Sequence, residues 1–555
     1  MRKDDKPVLI LDNADFNRDE RLLKEAIGTE IFDRIIVIIR LSLFEVGNNL
    51  PVDELPGSFK VIAHLPMSRG DIRTLTVQYF DTSDENAISA TVEKVYRDLV
   101  ALCIPITPSN VIMYLTILYR EGDFHPINRV EIVNKYLLEM LRRPSDAYID
   151  SFNAKNKLDV ISSFVFELSK AKKYQFTEAD WFLFCGDHKR STYTNFDDRS
   201  LLSELLTSRI LVRLGPTLAF KYRFFHVFFL GRYVATRPKV LQEVIDQSKY
   251  LDHECLVEVI TELTSDNDPL VSDIVAKLGG ALSEFDERYV PETFDPFAQL
   301  QWPADPKEEE KLWTPLTKAI AEGPRNPSDI DEIKRSIVEE NRASNQVVIV
   351  QKYDQLERRL VALHGALVEA LRNSDNLNGE IKRQAVLTAL KAYFRIYKIG
   401  LIFAPAIAEK AFYFWHGILF SFEDKAHLES LGDKNRKLWT VMNGVRISVT
   451  NKIAEQMGSK KLGEVFNLFA RDKQIAGYLR VLNFSCLIRA KPNGWMSAVQ
   501  ETIANTDRKE FFLRSMLSLS VAQFRDEINT VNERADLKPC GQNIGLRLLS
   551  LRSRI

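Results

Sequence analysis

The apolar run Val8–Leu11, with the two aspartates that follow it, constrains the fold of this chain more than any other feature. Apolar residues that end in D-x-x-D, here Asp12 and Asp15, are typical of a Walker B strand, which supplies carboxylates to a magnesium and phosphate site. The other half of such a site is a P-loop, G-x-x-x-x-G-K-[ST], whose backbone N–H groups surround the phosphates. No G-x-x-x-x-G-K occurs in the 555 residues, and only seven residues precede the strand. The sequence therefore predicts an ATPase-like sheet without its phosphate-binding loop.

Further strand and helix patterns follow in the N-terminal region. Arg34–Ile39 is a second apolar run, Phe59–Leu65 is a third and weaker one, and Asn17–Ile27 has the amphipathic pattern of a crossover helix. Runs that are apolar on both faces are typical of buried parallel strands. This alternation predicts an α/β unit with a parallel sheet.

After about residue 70 the pattern becomes helical. Asn128–Arg142 has helical spacing, with Asn128 and Glu131 as a predicted N-cap pair. Between 155 and 236, helical runs precede two short apolar segments around Gly215 and Pro216, which predict a β-hairpin and favour a winged helix. Residues 240–555 are predicted to be all-helical.

The predicted fold class is mainly α, with an N-terminal α/β remnant. The expected units are a partial P-loop ATPase core at 1–70, a helical ATPase subdomain at 71–154, a winged-helix-like domain at 155–236, a helical linker at 237–300 and a helical C-terminal sensor or interaction region at 301–555.

Composition excludes several classes of protein. The net charge is −1, so no global attraction to nucleic acid or acidic lipid is expected. The most apolar segment, Gly400–Phe420, is interrupted by Glu409, Lys410 and His416, and we interpret it as a buried amphipathic helix rather than a membrane span. The five cysteines are isolated, form no C-x-x-C pair and fit a reducing cytoplasm: Cys103, Cys185, Cys255, Cys486 and Cys540.

Two candidate groups lie at strand ends. Asp12, at the carboxyl end of a strand, is placed where such sheets bind ligands, and Asp15 could orient a water or approach the metal. The alternative is an ordinary turn rich in aspartate. Arg40 ends the second strand and could sense a γ-phosphate, although an arginine there is usually only solvated.

Two further candidates lie on helices. Pro108 follows Ile104–Thr107 and precedes the helical run Ser109–Leu118, so it either begins the helix or packs against an adenine ring. His226 lies among five aromatic residues between 224 and 233. It is either a core histidine or an imidazole that reaches a phosphate.

The order of these motifs resembles that of the signal-transduction ATPases with numerous domains, the STAND class, and in particular its NACHT-like bacterial members. A Walker B strand is followed by a strand ending in Arg, I-P-x-T-P before a helix, P-I-N-R at 126–129 and F-x-H-x-x-F in the winged-helix-like module. The resemblance covers roughly residues 7–236. Asn13 replaces the glycine and Phe16 the glutamate of the family's Walker B, and Gly231 stands where its winged helix has a glutamate.

The resemblance implies roles for five residues. Asp12 would coordinate Mg²⁺ through water, Asp15 would support hydrolysis, Arg40 would be the sensor, Pro108 would touch the base and His226 would hold the phosphates of ADP. It also implies a cytoplasmic switch in defence against phage, closed with ADP and oligomeric with ATP. A protein trigger would bind the C-terminal helical region.

The chain departs from this class because it has neither a P-loop nor an N-terminal effector. We therefore expect weak or no ATPase activity from this polypeptide alone, and self-association or an upstream polypeptide that carries the P-loop. Two alternatives stay open: a non-catalytic helical scaffold and a winged-helix DNA-binding regulator. Asp197, Asp198 and Glu204 near the candidate recognition helix argue against DNA binding.

Overall fold

The computed structural model shows a mainly helical protein. It describes residues 8–12, 34–38, 67–80, 84–101, 106–122, 128–141, 152–253, 255–264, 266–289, 355–373, 376–410, 412–415, 418–421 and 425–505, together with residues 25, 104, 126, 517, 520 and 521.

Two N-terminal strands confirm the predicted parallel pair. Strand β1 (Val8–Asp12) pairs in parallel with β2 (Arg34–Ile38), so that Ile10 lies opposite Ile36 and Asp12 opposite Ile38. Val8, Ile10 and Ile36 are about half exposed. The third predicted strand, at 59–65, and most of the predicted helix at 17–27 lie outside the described residues.

Four helices follow as one packed unit: α1 (Arg69–Phe80), α2 (Glu85–Ala101), α3 (Pro108–Glu121) and α4 (Arg129–Leu141). The amide N–H of Glu131 donates to Oδ1 of Asn128 at 2.8 Å, so the predicted N-cap is confirmed. Thr107 caps α3 in the same way, by accepting from the N–H of Asn110. Each cap satisfies an amide that a helix start leaves without a partner.

The next unit alternates helices with short strands. Its elements are α5 (Ala154–Lys170), β3 (Gln175–Phe176), α6 (Glu178–Thr192), α7 (Asp198–Thr207), β4 (Leu211–Leu214), β5 (Thr217–Phe220) and α8 (Arg223–Ala235). Strand β5 lies between β3 and β4 and is antiparallel to both. The predicted hairpin is confirmed, and Gly215 at its turn has a φ of 61°, which glycine adopts without strain.

The remaining described elements are mostly helices. They are α9 (Pro238–Asp246), α10 (Leu256–Leu263), α11 (Asp268–Tyr289), α12 (Gln355–Asn373), α13 (Gly379–Lys410), β6 (Phe412–Trp415), β7 (Ile418–Ser421), α14 (Lys425–Ser430), α15 (Lys434–Met457), α16 (Gly463–Arg471), α17 (Gly477–Ala490) and α18 (Trp495–Asn505). Single-turn 3₁₀ helices occupy 249–251 and 460–462.

The prediction of an all-helical C-terminal region is wrong over 412–421. Helix α13 ends at Lys410, and β6 and β7 form an antiparallel hairpin with Phe412 opposite Ser421. The predicted amphipathic helix at 400–420 therefore ends halfway. Because the segments F-Y-F-W and I-L-F-S are rich in aromatic and branched residues, their strand preference outweighs the apolar continuity on which the helix prediction rested.

In the described ranges, no helix combines the length and the apolar character that crossing a bilayer requires.

Candidate functional site

The predicted strand-end residues are only partly described. Asp12 is the last residue of β1, at the carboxyl end of a parallel pair, which is the sheet edge where ligands bind in open α/β folds. Asp15 and Arg40 lie outside the described residues. The backbone therefore places one of the two predicted carboxylate positions and the strand that leads to the predicted sensor arginine.

Pro108 is the first residue of α3 and is exposed. The loop before it is anchored, because Ile106 is buried and its carbonyl accepts a 2.9 Å hydrogen bond from the N–H of Met67. Proline suits this position, where its missing N–H would have no intrahelical partner. Both predicted roles, helix entry and contact with a flat ligand, are compatible with a rigid, exposed ring.

His226 lies in an aromatic cluster on α8 and is only 2% exposed. Its ring centroid lies 5.1 Å from that of Tyr174, 5.9 Å from that of Phe220 and 6.0 Å from that of His253. Neither ring nitrogen has a hydrogen-bond partner among the described residues. Burial, with smaller contributions from His253 and Arg223, lowers the pKa of His226 to about 4, so the imidazole is neutral at pH 7.

A neutral imidazole has one N–H donor and one acceptor nitrogen. Leaving a buried polar group unpaired costs about 1–3 kcal/mol. The His226 ring therefore holds hydrogen-bonding capacity that the described part of the protein does not use. A ligand oxygen or a water could use it.

His253 makes two polar contacts at the edge of this cluster. Its Nδ1 lies 3.3 Å from the hydroxyl of Tyr174 and its Nε2 lies 3.4 Å from the hydroxyl of Ser169. The Tyr174 ring is partly exposed, so the cluster reaches the surface there. Tyr174 and His253 both contact the His226 ring.

The other side of α8 packs closely against α10. A Cβ on Gly231 would lie 2.6 Å from Cγ1 and 2.7 Å from Cβ of Val259, on α10. Only glycine lets the two helices approach this closely without a shift. Any larger side chain at this position, glutamate included, would collide with Val259 of α10.

Sequence reasoning missed a second buried polar contact, at the start of α4. The Arg129 guanidinium lies 3.8 Å from the ring centroid of Phe224, and its Nη1 lies 3.6 Å from Oε2 of Glu258. In the sequence, Arg129 stands out only as the last residue of the P-I-N-R motif at 126–129. Glu258 is a lone acid in the apolar run of α10, L-V-E-V-I, which was a usable signal for a buried carboxylate.

A groove of about 890 Å³ lies between α11 and α13. Its α11 wall carries small residues at intervals of one helical turn: Ser272, Ala276, Gly279 and Ser283. Its α13 wall includes Thr388 and Lys391. At one end, Nε of Arg395 donates to both carboxylate oxygens of Asp286 at 3.0 Å. The groove offers hydroxyl, ammonium and carboxylate groups along about four turns of helix.

Within the ranges that the structure describes, no three His, Cys, Asp or Glu side chains are grouped so as to hold a metal ion. The sequence matches no protein-family model and has no significant match among curated proteins.

Proposed function

We propose that this chain is the regulatory and sensor portion of a STAND-type signalling ATPase that acts in bacterial defence against phage. The observation that carries the proposal is the order of elements along the chain. A parallel strand pair bearing Asp12 is followed by a four-helix unit, then by a helix, a short strand, two helices and a hairpin, and then by the helix that bears His226.

The strand pair supports the nucleotide-binding part of this proposal. Two parallel strands whose carboxyl ends share one edge bring Asp12 next to the strand that leads to Arg40. The carboxylates of Asp12 and Asp15 are the donor type that Mg²⁺ prefers, and Asp12 would hold the ion through water. Mg²⁺ would neutralise charge on the phosphates of ATP or ADP in the complete site.

The module at 152–235 supports the regulatory part. Its order of helix, strand, two helices and two strands is the order that a winged helix would have, which supports the proposal. His226 lies on the helix that follows the hairpin and has unused hydrogen-bonding capacity. In the proposed ADP-bound state, which requires the buried His226 ring to become accessible, it would donate to a phosphate oxygen of ADP as a neutral imidazole, and Pro108 would contact the base.

The proposed switch has two populations. ADP favours the closed one, and a protein trigger on the helices beyond residue 300 favours an open one that exchanges ADP for ATP and oligomerises. Nucleic acid is not an expected partner, because two acids of α7 hold the nearby cations in ion pairs, Glu204 with Lys157 and Asp198 with Lys189. No P-loop is present in the 555 residues, so this chain alone should hydrolyse ATP weakly or not at all.

The test begins with the DNA directly upstream of the Met1 codon, where an in-frame or overlapping P-loop is expected. MgADP binding is then measured by calorimetry on the joined protein. Asp12→Ala and His226→Ala should each weaken binding by roughly tenfold or more, since each removes a contact to charged ligand groups. Arg213→Ala, which removes only an exposed ion pair with Glu178, is the control. Unchanged affinity in both variants would contradict the proposal.

A second function is favoured by the groove between α11 and α13, which would suit a non-catalytic helical scaffold. The two functions differ in their nucleotide dependence. A scaffold binds its partner equally well with and without MgADP, and Asp12→Ala does not change that binding. A STAND-type switch shows coupling between the two ligands.

A further inference from the structure

Arg129 connects three parts of the described structure. It is the first residue of α4, in the four-helix unit. Its guanidinium stacks on Phe224 of α8, and its Nη1 contacts both Glu258 of α10 and Sγ of Cys255, each at 3.6 Å. The units at 67–141, 152–235 and 255–264 therefore meet at one side chain.

The charge pair at this junction is poorly satisfied. Glu258 is 4% exposed, and Arg129 is its only ionic partner among the described residues. A separation of 3.6 Å is too long for a good N–H···O hydrogen bond, and Oε2 of Glu258 and Nε of Arg129 have no other hydrogen-bond partner in the described ranges. For a pair that is largely buried and has unmet hydrogen bonds, the cost of lost hydration can exceed the mutual attraction of the charges.

Apolar packing opposes that cost. The ring of Tyr136 on α4 stacks on Phe225 of α8 with centroids 6.0 Å apart, next to the stack of Arg129 on Phe224. Separation of α4 from α8 would expose these rings but return both charges to water. The junction thus balances a favourable aromatic contact against an unfavourable buried pair, which is the property of a two-state element.

We propose that Arg129 and Glu258 form a metastable latch that sets the equilibrium between the closed arrangement described here and an open one in which α4 separates from α8 and α10. Loss of the arginine alone leaves an unpaired buried carboxylate and opens the latch. Replacement of both charged residues by apolar side chains removes the desolvation cost and shifts the equilibrium to the closed arrangement. The role of the latch in signalling rests on the proposed function, whereas the latch itself is tested without nucleotide.

The experiment is hydrogen–deuterium exchange on the full chain without nucleotide. In Arg129→Gln, amide exchange in α4 and α10 should accelerate roughly tenfold or more, because the carboxylate is left buried without its partner. Exchange in α17, which is distant in sequence and packs against α16 and α18, should not change. In Arg129→Met/Glu258→Met, exchange in α4 and α10 should be no faster than in the wild type. Arg213→Gln, which breaks the exposed pair with Glu178, should change nothing in these helices.

The latch is overturned if Arg129→Gln leaves exchange in α4 and α10 unchanged, or if α17 accelerates equally, because that pattern is global destabilisation. It is also overturned if the double variant exchanges as fast as Arg129→Gln. Should Arg129→Gln not fold, Glu258→Gln replaces it; because it leaves the Arg129 guanidinium without its carboxylate, faster exchange in α4 and α10 than in the wild type, with α17 unchanged, is then the supporting result. A missing effect of added MgADP on these rates would count against the proposed nucleotide site and leave the latch intact.

Discussion

At the scale of single residues, helix α8 packs closely against α10 on one side and carries a buried polar ring on the other. On one side, the absence of a side chain at Gly231 allows Val259 of α10 to approach closely. On the other side His226 keeps a polar ring in an aromatic cluster where neither nitrogen has a partner among the described residues. Gly231 thus provides close packing, whereas His226 retains hydrogen-bonding capacity that the described residues do not use.

Gly231→Ala should destabilise the protein. The new Cβ would meet Val259 at under 3 Å, so α8 and α10 must shift, at a cost of about 1–3 kcal/mol that a gain in helix propensity of up to about 1 kcal/mol offsets only in part. Urea unfolding measures the difference. Gly186→Ala in α6 is the matched control, because a Cβ there meets nothing within 4 Å, and it should stabilise the protein. Equal effects of the two changes would contradict the packing argument.

The burial of His226 predicts a specific pH dependence of stability. Its pKa is about 4 in the folded protein and 6.5 for a free side chain, so the unfolded state binds more protons between these values. The contribution of the neutral ring is fully present above pH 6.5 and is lost as the pH falls through 4. At about 1.4 kcal/mol per pH unit, the loss is roughly 3 kcal/mol.

The measurement is the free energy of unfolding of wild type and His226→Phe from pH 7.5 to pH 4. The variant should lose less stability across this range, because phenylalanine fills the same aromatic site without titrating. Burial also lowers the pKa of His364, but that residue is present in both proteins and cancels in the difference. If the unfolding free energies of wild type and His226→Phe changed equally with pH, His226 would be solvated in the folded state, and the expectation would be wrong.

At the scale of elements, buried ion pairs fix which helices lie side by side. Nζ of Lys157 on α5 lies 2.8 Å from Oε1 of Glu204 on α7 and 3.2 Å from the carbonyl of Leu141 at the end of α4. This pair differs from that of Arg129 and Glu258, because its distances are those of good hydrogen bonds. We therefore expect the Lys157–Glu204 pair to hold α5 and α7 together, whereas the proposed latch of Arg129 and Glu258 permits its helices to separate.

Lys157→Met should cost about 3–5 kcal/mol of unfolding free energy, since it removes the buried cation with which Glu204 pairs. Lys157→Met/Glu204→Leu should recover most of that loss. Chemical unfolding of both variants tests the expectation. The exposed pair Arg213–Glu178 serves as reference, and Arg213→Met should cost no more than about 1 kcal/mol. A double variant as unstable as the single one would contradict the interpretation.

At the scale of the whole molecule, α11 and α13 connect the two halves of the described structure. The Asp286–Arg395 pair joins them across a gap of 109 residues in sequence and closes one end of the groove. The groove therefore lies where the unit following α8 meets the C-terminal helices. A partner bound there would contact both.

Gly279→Leu should fill the groove without unfolding the protein. A Cβ at Gly279 meets nothing within 4 Å, and replacing a helical glycine by leucine gains up to about 1 kcal/mol in helix propensity. Gly280→Leu is the matched control, because Gly280 is equally open and is not part of the groove lining. Thermal unfolding should show both variants at or above wild-type stability. A clear loss for Gly279→Leu alone would mean that the groove is already filled in solution.

The sequence alone determined the features that depend on neighbouring residues. Apolar runs, caps and turn residues specified β1 and β2, the cap at Asn128, the hairpin around Gly215 and the helix that carries His226. These signals are local, since a cap or a turn is made by residues three or four apart. The same signals failed at 412–421, where a continuous apolar run is equally compatible with a helix and a hairpin.

Only the tertiary structure decided which side chains meet. Arg129 and Glu258 are separated by 129 residues, and no local sequence pattern predicts that this guanidinium faces that buried carboxylate. The close approach of Val259 to Gly231 and the burial of both nitrogens of His226 are likewise properties of packed helices rather than of any one segment. Because the cost of a buried charge or polar ring depends on what surrounds it, the energetics of these positions became visible only when the helices were assembled.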